Sequence, residues 1–132
     1  MEIIVDASVL IAVIVNEAEK EKLIAMTQEA ELVAPMSVHW EIGNAFSSLL
    51  KRGRVTIEQA LQAIDMYSEI PIRFVEVELT NSLELANAFG IYAYDAYLLR
   101  CAEKYHLPLL TLDKPLVHIA KDKGISILEV VE

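Results

Sequence analysis

The sequence predicts an α/β fold, a three-layer α/β/α arrangement with a mainly parallel central sheet. Two observations carry this. Short apolar runs alternate along the chain with helical patterns, and the runs are too apolar to leave one face of a sheet in water. Strands of that kind need helices above and below them.

The elements follow in order. "IIV" at 3–5 is the first predicted strand, and the apolar run continuing to Val15 is a buried helix. That run follows Glu2, lacks a basic leader, is interrupted by Asp6 and Ser8, and is too short to span a bilayer. "LVA" at 32–34 is the second strand, followed by the helix "SVHWEIGNAFSSLLKRG". "IRFVEV" at 72–77, "LLTL" at 109–112 and "ISILEV" at 125–130 are the remaining strands. Thr56 with Gln59, and Asn81 with Glu84, are spaced as capping boxes at helix starts. Gly53, Gly90 and Gly124 stand where helices stop, and Pro115 suits a first helical turn after Asp113.

Composition narrows the function. The chain has 132 residues, 55% of them hydrophobic, with no linker, low-complexity tract or solenoid repeat, which predicts a single domain over 1–132. The lone Cys101 excludes an internal disulfide and a zinc site built on thiolates, in keeping with a soluble, cytoplasmic protein that contacts no membrane. Eleven basic and 20 acidic residues give a net charge of -9, which opposes nonspecific adhesion to nucleic acid. It permits an enzyme whose acidic site recruits cations while a local strip such as Lys51, Arg52 and Arg54 meets phosphates.

The carboxylates carry the chemistry. In "IYAYDAYLLRCAEKYH", at 91–106, Tyr94, Leu98, Leu99, Cys101, Ala102 and Tyr105 share one helical arc and Asp95 lies within it, so a helix packing through that arc takes a charge inward. Asp6 and Asp113 each follow a predicted buried strand, where open parallel sheets gather ligands, and each also suits a helix N-cap. Glu41 borders the stripe of Val38, Ile42, Ala45, Phe46 and Leu49, with Asn44 and Ser48 continuing the polar line. Four carboxylates at one sheet edge repel one another if bare, and hard cations such as Mg²⁺ and Mn²⁺ remove that cost. The phosphate-cradling glycine loops, the serine-nucleophile elbow and the paired-histidine zinc motif are absent from the sequence, and His39, His106 and His118 read as packing or surface residues.

"VDASVL", "WEIGNA", "YDAYLL" and "TLD", in that order and on those elements, resemble the PIN domain, especially the VapC-like toxins of toxin-antitoxin pairs. The resemblance covers nearly the whole chain. It implies a metal-dependent endoribonuclease in which Asp6, Glu41, Asp95 and Asp113 are the catalytic and metal-binding acids around Mg²⁺ or Mn²⁺. Ser8, Asn44 and Thr111 match the accompanying polar positions, Ser8 and Thr111 ordering metal waters or the carboxylates and Asn44 holding the hydrogen-bond network. It further implies an RNA substrate, a homodimer and a cognate antitoxin. Pro115 stands where some members carry a further acid, so a fifth ligand is not expected and one metal or two stays open.

Two other readings keep the same fold: a binding module that sequesters RNA or a protein without cutting, and an RNA-processing nuclease outside any toxin-antitoxin pair. A receiver-like signalling domain needs an acceptor Asp after the middle strand, and "IRFVEVELTN" offers Glu76 and Glu78 only.

Overall fold

The computed structural model describes residues 1–15 and 20–129. The five apolar runs pair into one sheet: β1 (Glu2–Val5), β2 (Glu31–Pro35), β3 (Ile72–Val75), β4 (Leu109–Leu110) and β5 (Ile127–Leu128). Every pairing among the described residues is parallel, in the order β3-β2-β1-β4-β5. The inner strands confirm the three-layer expectation. Ile3, Ile4, Val5, Val33, Leu109 and Leu110 have no exposed surface, so helices cover both faces.

Those helices are α1 (Ala7–Ile14), α2 (Lys20–Thr27), α3 (Met36–Lys51), α4 (Ile57–Ser68), α5 (Leu79–Phe89), α6 (Ala93–Tyr105) and α7 (Lys114–Asp122). The Thr56 capping box forms as expected: Gln59 N–H donates to the Thr56 hydroxyl and Thr56 N–H to the Gln59 amide oxygen, at 3.1 and 2.9 Å. Gly90 ends α5 in the left-handed region at φ 63°, which a side chain adopts only with strain. No described helix is long and apolar enough to cross a membrane.

Four expectations need correction. The Asn81–Glu84 capping box does not form, because α5 begins at Leu79 with Glu78 at its N-cap. Arg100 and Lys104 of α6 hold the Glu78 carboxylate at 3.0 and 2.6 Å, and that tertiary anchor decides where the helix starts. β3, β4 and β5 are shorter than expected, while β1 and β2 run slightly beyond 3–5 and 32–34. Thr111 and Leu112 leave the β4 ladder because Leu112 N–H donates to the Ser8 hydroxyl and Asp113 N–H to the Thr111 hydroxyl, at 3.1 and 3.0 Å. β3 and β5 are the sheet's edges and only half-buried, and Val130 lies outside the described residues. Finally, Leu98, Leu99, Cys101 and Ala102 are buried as expected, but Tyr94 is 54% exposed, since it sits in the first turn of α6 before the helix packs down.

Strand order sets the site's location. From β1 the chain moves outward through β2 and β3, then crosses back to lay β4 on the other side of β1. The connections leaving β1 and β4 therefore diverge, and the crevice between them lies beyond the carboxyl ends of the strands. Asp6 follows β1 there, and Thr111 and Asp113 follow β4.

Candidate active site

Asp6 is the most buried of the four acids, at 5% exposure. It is the N-cap of α1 and accepts a bond from Val9 N–H at 3.3 Å, while the Ser8 hydroxyl donates to the same oxygen, Oδ1. The Thr111 hydroxyl donates to the other, Oδ2. Strand register explains this last bond: Val5 pairs with Leu110, so the next residues along each strand, Asp6 and Thr111, emerge side by side. Burial pushes the Asp6 carboxyl above its ordinary range, against the opposing pull of the hydrogen bonds from Ser8, Thr111 and Val9.

Glu41 lies on α3, half-buried, one and a half turns after the end of β2. Its Oε1 is buried with no hydrogen-bond partner. Desolvation, with the negative charges of Asp6 and Asp95, raises its carboxyl to about 7. Asp95, also half-buried, is raised by desolvation and then by the charges of Asp113 and Asp6. It does not cap its helix: Tyr92 is the N-cap of α6, without a side-chain cap bond. Asp113 caps α7 through Leu116 N–H at 3.2 Å.

The structure thus links the four acids through their charges, Glu41 with Asp6 and Asp95, and Asp95 with Asp6 and Asp113. Asp6 and Asp113 are both helix N-caps, and each stands where the chain leaves a parallel strand, Asp6 directly after β1 and Asp113 three residues after β4. Ser8 and Thr111 order the Asp6 carboxylate directly. Asn44 is on the exposed side of α3, and its amide bonds to none of the acids among the described residues. Sequence reading passed over Ser37, whose buried hydroxyl also lacks a partner. Its one signal was its place four residues before Glu41, on the same face of α3.

Oxygen donors without a counter-charge suit a hard divalent cation. Among the described residues none of the four acids forms an ion pair. An ionised carboxylate has about four acceptor positions; three on Asp6 are taken and Glu41 Oε1 is vacant. No three His, Cys, Asp or Glu side chains among the described residues converge tightly enough to enclose an ion by themselves. The unpartnered Glu41 oxygen is the donor that suits Mg²⁺, which is held by one or two carboxylates and keeps several waters.

The family model described as the PIN domain matches residues 3–122. Among solved structures, PAE2754 from Pyrobaculum aerophilum shares 26% identity over 96% of this chain and 92% of its own, with a TM-score of 0.71. VapBC2 from Rickettsia felis, bound to a DNA fragment from its promoter, is similar at 12% identity over 97% and 98%, TM-score 0.70. VapC20 from Mycobacterium tuberculosis, described as a sarcin-ricin loop cleaving toxin, is similar at 14% over 93% and 95%, TM-score 0.63. At the identities of the last two, the likeness is one of fold. No curated protein sequence matches the chain.

Proposed function

The chain belongs to the PIN domain family, and from that premise we propose that it is a metal-dependent endoribonuclease, the toxin of a VapBC-type toxin-antitoxin pair. One observation carries the reading: Glu41 holds a buried, unpartnered carboxylate oxygen against the like charges of Asp6 and Asp95, with no ion pair to a cation among the described residues. A fold gains nothing in stability from that arrangement. A site for Mg²⁺ or Mn²⁺ accounts for it.

Asp6, Glu41, Asp95 and Asp113 would hold the ion between them, one or two directly and the others through its waters. A bound divalent cation supplies acidity to a water and positive charge to the phosphate. Asp6 is fixed by the Ser8 and Thr111 hydroxyls, so it presents its remaining acceptor position at one orientation. The Asp95 carboxylate makes no hydrogen bond among the described residues and is available to orient the attacking water on the scissile phosphorus. No side chain need become covalently attached, and the products carry 5′-phosphate and 3′-hydroxyl ends.

The same reading makes the protein a cytoplasmic homodimer silenced by an antitoxin, whose extended tail crosses the acidic crevice and places an Arg or Lys against the carboxylates. The naming of the Rickettsia felis and Mycobacterium tuberculosis neighbours as VapBC and VapC proteins supports the antitoxin partner.

The test is incubation of purified protein with a pool of single-stranded and structured RNA in Mg²⁺, Mn²⁺ or chelator, beside Asp6→Asn. Metal-dependent cutting that vanishes in the variant is the expected result. Metal binding without cutting under every condition favours the sequestering module instead.

A further inference from the structure

Positive charge is unevenly paired in this acidic chain. Arg73, Arg100, Lys104, Lys121 and Lys123 are each held by a glutamate. Lys51, Arg52 and Arg54, all exposed, form no ion pair among the described residues, and they stand together at the turn from α3 into α4. Backbone bonds fix that turn. Gly53 takes the left-handed conformation at φ 66°, its N–H donates to the Leu50 carbonyl at 3.1 Å, and Arg54 N–H donates to the Leu49 carbonyl at 2.9 Å. Lys51 and Arg52 also suit the negative end of the α3 dipole, but Arg54 lies beyond the helix, where that effect has fallen away.

Helix α3 connects this turn to the acids. It starts where β2 ends, carries Glu41 in its second turn and finishes at Lys51. At 1.5 Å per residue, Arg52 stands about 16 Å along the helix from Glu41, a few nucleotides of chain. Asn44 and Ser48, three and seven residues after Glu41, continue its line and are exposed. Their neighbours use only their backbone oxygens: the Ser47 hydroxyl donates to the Asn44 carbonyl at 2.8 Å, and Arg52 Nε to the Ser48 carbonyl at 3.4 Å. No acid follows Glu41 on α3. The face therefore changes from negative at Glu41, through neutral polar groups, to positive at the turn.

That gradient selects the occupant. A polyanion held at the acids through a cation has further phosphates on either side, and a chain of net charge -9 repels them over most of its surface. Uncharged polar groups, followed by cations that no carboxylate has claimed, give those phosphates partners. Resting on the nuclease reading above, we propose that the outer face of α3 is the track for RNA on one side of the cut, with Asn44 and Ser48 as neutral contacts and Lys51, Arg52 and Arg54 gripping its phosphates. Contacts of this kind fix the direction in which the strand leaves the crevice without reading its sequence.

The test measures RNA binding over a range of salt in an Asp6→Asn background with Mg²⁺, so that nothing is cut. The probe is a labelled RNA spanning the site that the wild-type protein cleaves, with copies trimmed stepwise from each end. Changing Lys51, Arg52 and Arg54 together to Gln weakens binding roughly tenfold at low salt and makes the slope of log affinity against log salt shallower by about two to three. Arg54→Gln alone removes roughly 0.7 to 0.9 from that slope and melts with the parent, and Arg54→Lys restores it. Trimming one flank abolishes the difference between parent and triple variant, while trimming the other preserves it. In cleavage by the otherwise wild-type protein, the triple change raises KM and leaves kcat near the parent value. A parent-like salt slope overturns the track while leaving the nuclease intact; if the oligomeric mass by light scattering changes instead, the strip is a protein contact. A fall in kcat at unchanged KM gives the turn a purely structural part and overturns the track as well. A wild-type protein that neither binds nor cuts RNA removes the nuclease reading and the track together.

Discussion

Thr111 donates its hydroxyl to Asp6 across the seam between β4 and β1, and the same hydroxyl oxygen accepts Asp113 N–H at 3.0 Å. One small side chain thereby ties two of the four acids to one point. Thr111→Val keeps the shape, leaves Asp6 short of a donor and orphans the Asp113 amide. The expected loss is about 1–3 kcal/mol of stability by urea unfolding, with Thr111→Ser restoring most of it. A Thr111→Val protein as stable as the parent means that the bond contributes nothing.

The acids also give stability an unusual pH dependence. Glu41, Asp6 and Asp95 all have folded-state pKa values above their ordinary ones, Glu41 at about 7 against 4.5. The native state then binds more protons than the unfolded chain, so their contribution is fully present below pH about 4.5 and is lost as pH rises through about 7. Glu78 and Glu129 act in the opposite sense, since their partners Lys104, Arg100 and Lys121 depress them and their contribution is lost in acid. Metal-free protein is therefore expected to melt highest near pH 5, with on the order of 1–2 kcal/mol lost by pH 8 after solvent screening of Glu41. Millimolar Mg²⁺ flattens that decline. A metal-free melting temperature that rises steadily from pH 5 to 8 contradicts the clustering of the acids.

What could be read from sequence divides by the range of the interaction. Thr56 and Gln59 close a ring within one turn, so spacing was enough to find it. Glu78 starts α5 because Arg100 and Lys104, more than 20 residues away, hold it, and no local pattern around Asn81 carries that information. Asp6 was legible because a strand end fixes where its next residue goes, and Asp113 because an Asp before Lys114-Pro115 suits a helix N-cap, although β4 ends three residues earlier than its apolar run suggests. Glu41 and Asp95 needed the packing of α3 and α6 to show that their charges meet. Ser37 was marked only by its spacing from Glu41, since an orphaned hydroxyl exists only once its surroundings are known.

The Thr56 capping box supplies a control remote from the acids in sequence. Thr56→Ala removes the acceptor of Gln59 N–H at the start of α4 and is expected to cost about 1 kcal/mol. RNA cleavage per folded molecule is expected to stay at the parent level. A parallel fall in cleavage at a temperature where the variant is fully folded would show that α4 takes part in the site.

Asp95 separates a structural role from a functional one most sharply. It makes no cap bond, and its charge faces those of Asp113 and Asp6. Asp95→Asn removes that repulsion with little change of shape, although it gives up the favourable placing of an acid in the first turn of α6, worth about 0.3–1 kcal/mol where exposed. Relief among half-buried like charges outweighs this when all are ionised. At pH 8 without metal, Asp95→Asn is expected to raise the melting temperature by a few degrees, on the order of 1 kcal/mol. At pH 5 the gain shrinks, because Glu41, raised to about 7 in part by the charge of Asp95, is then largely neutral. The variant is also expected to lose most of the stabilisation that Mg²⁺ gives the parent. A metal-free drop at both pH values, with the Mg²⁺ response intact, would make Asp95 a helix-terminus charge and take it out of the metal site.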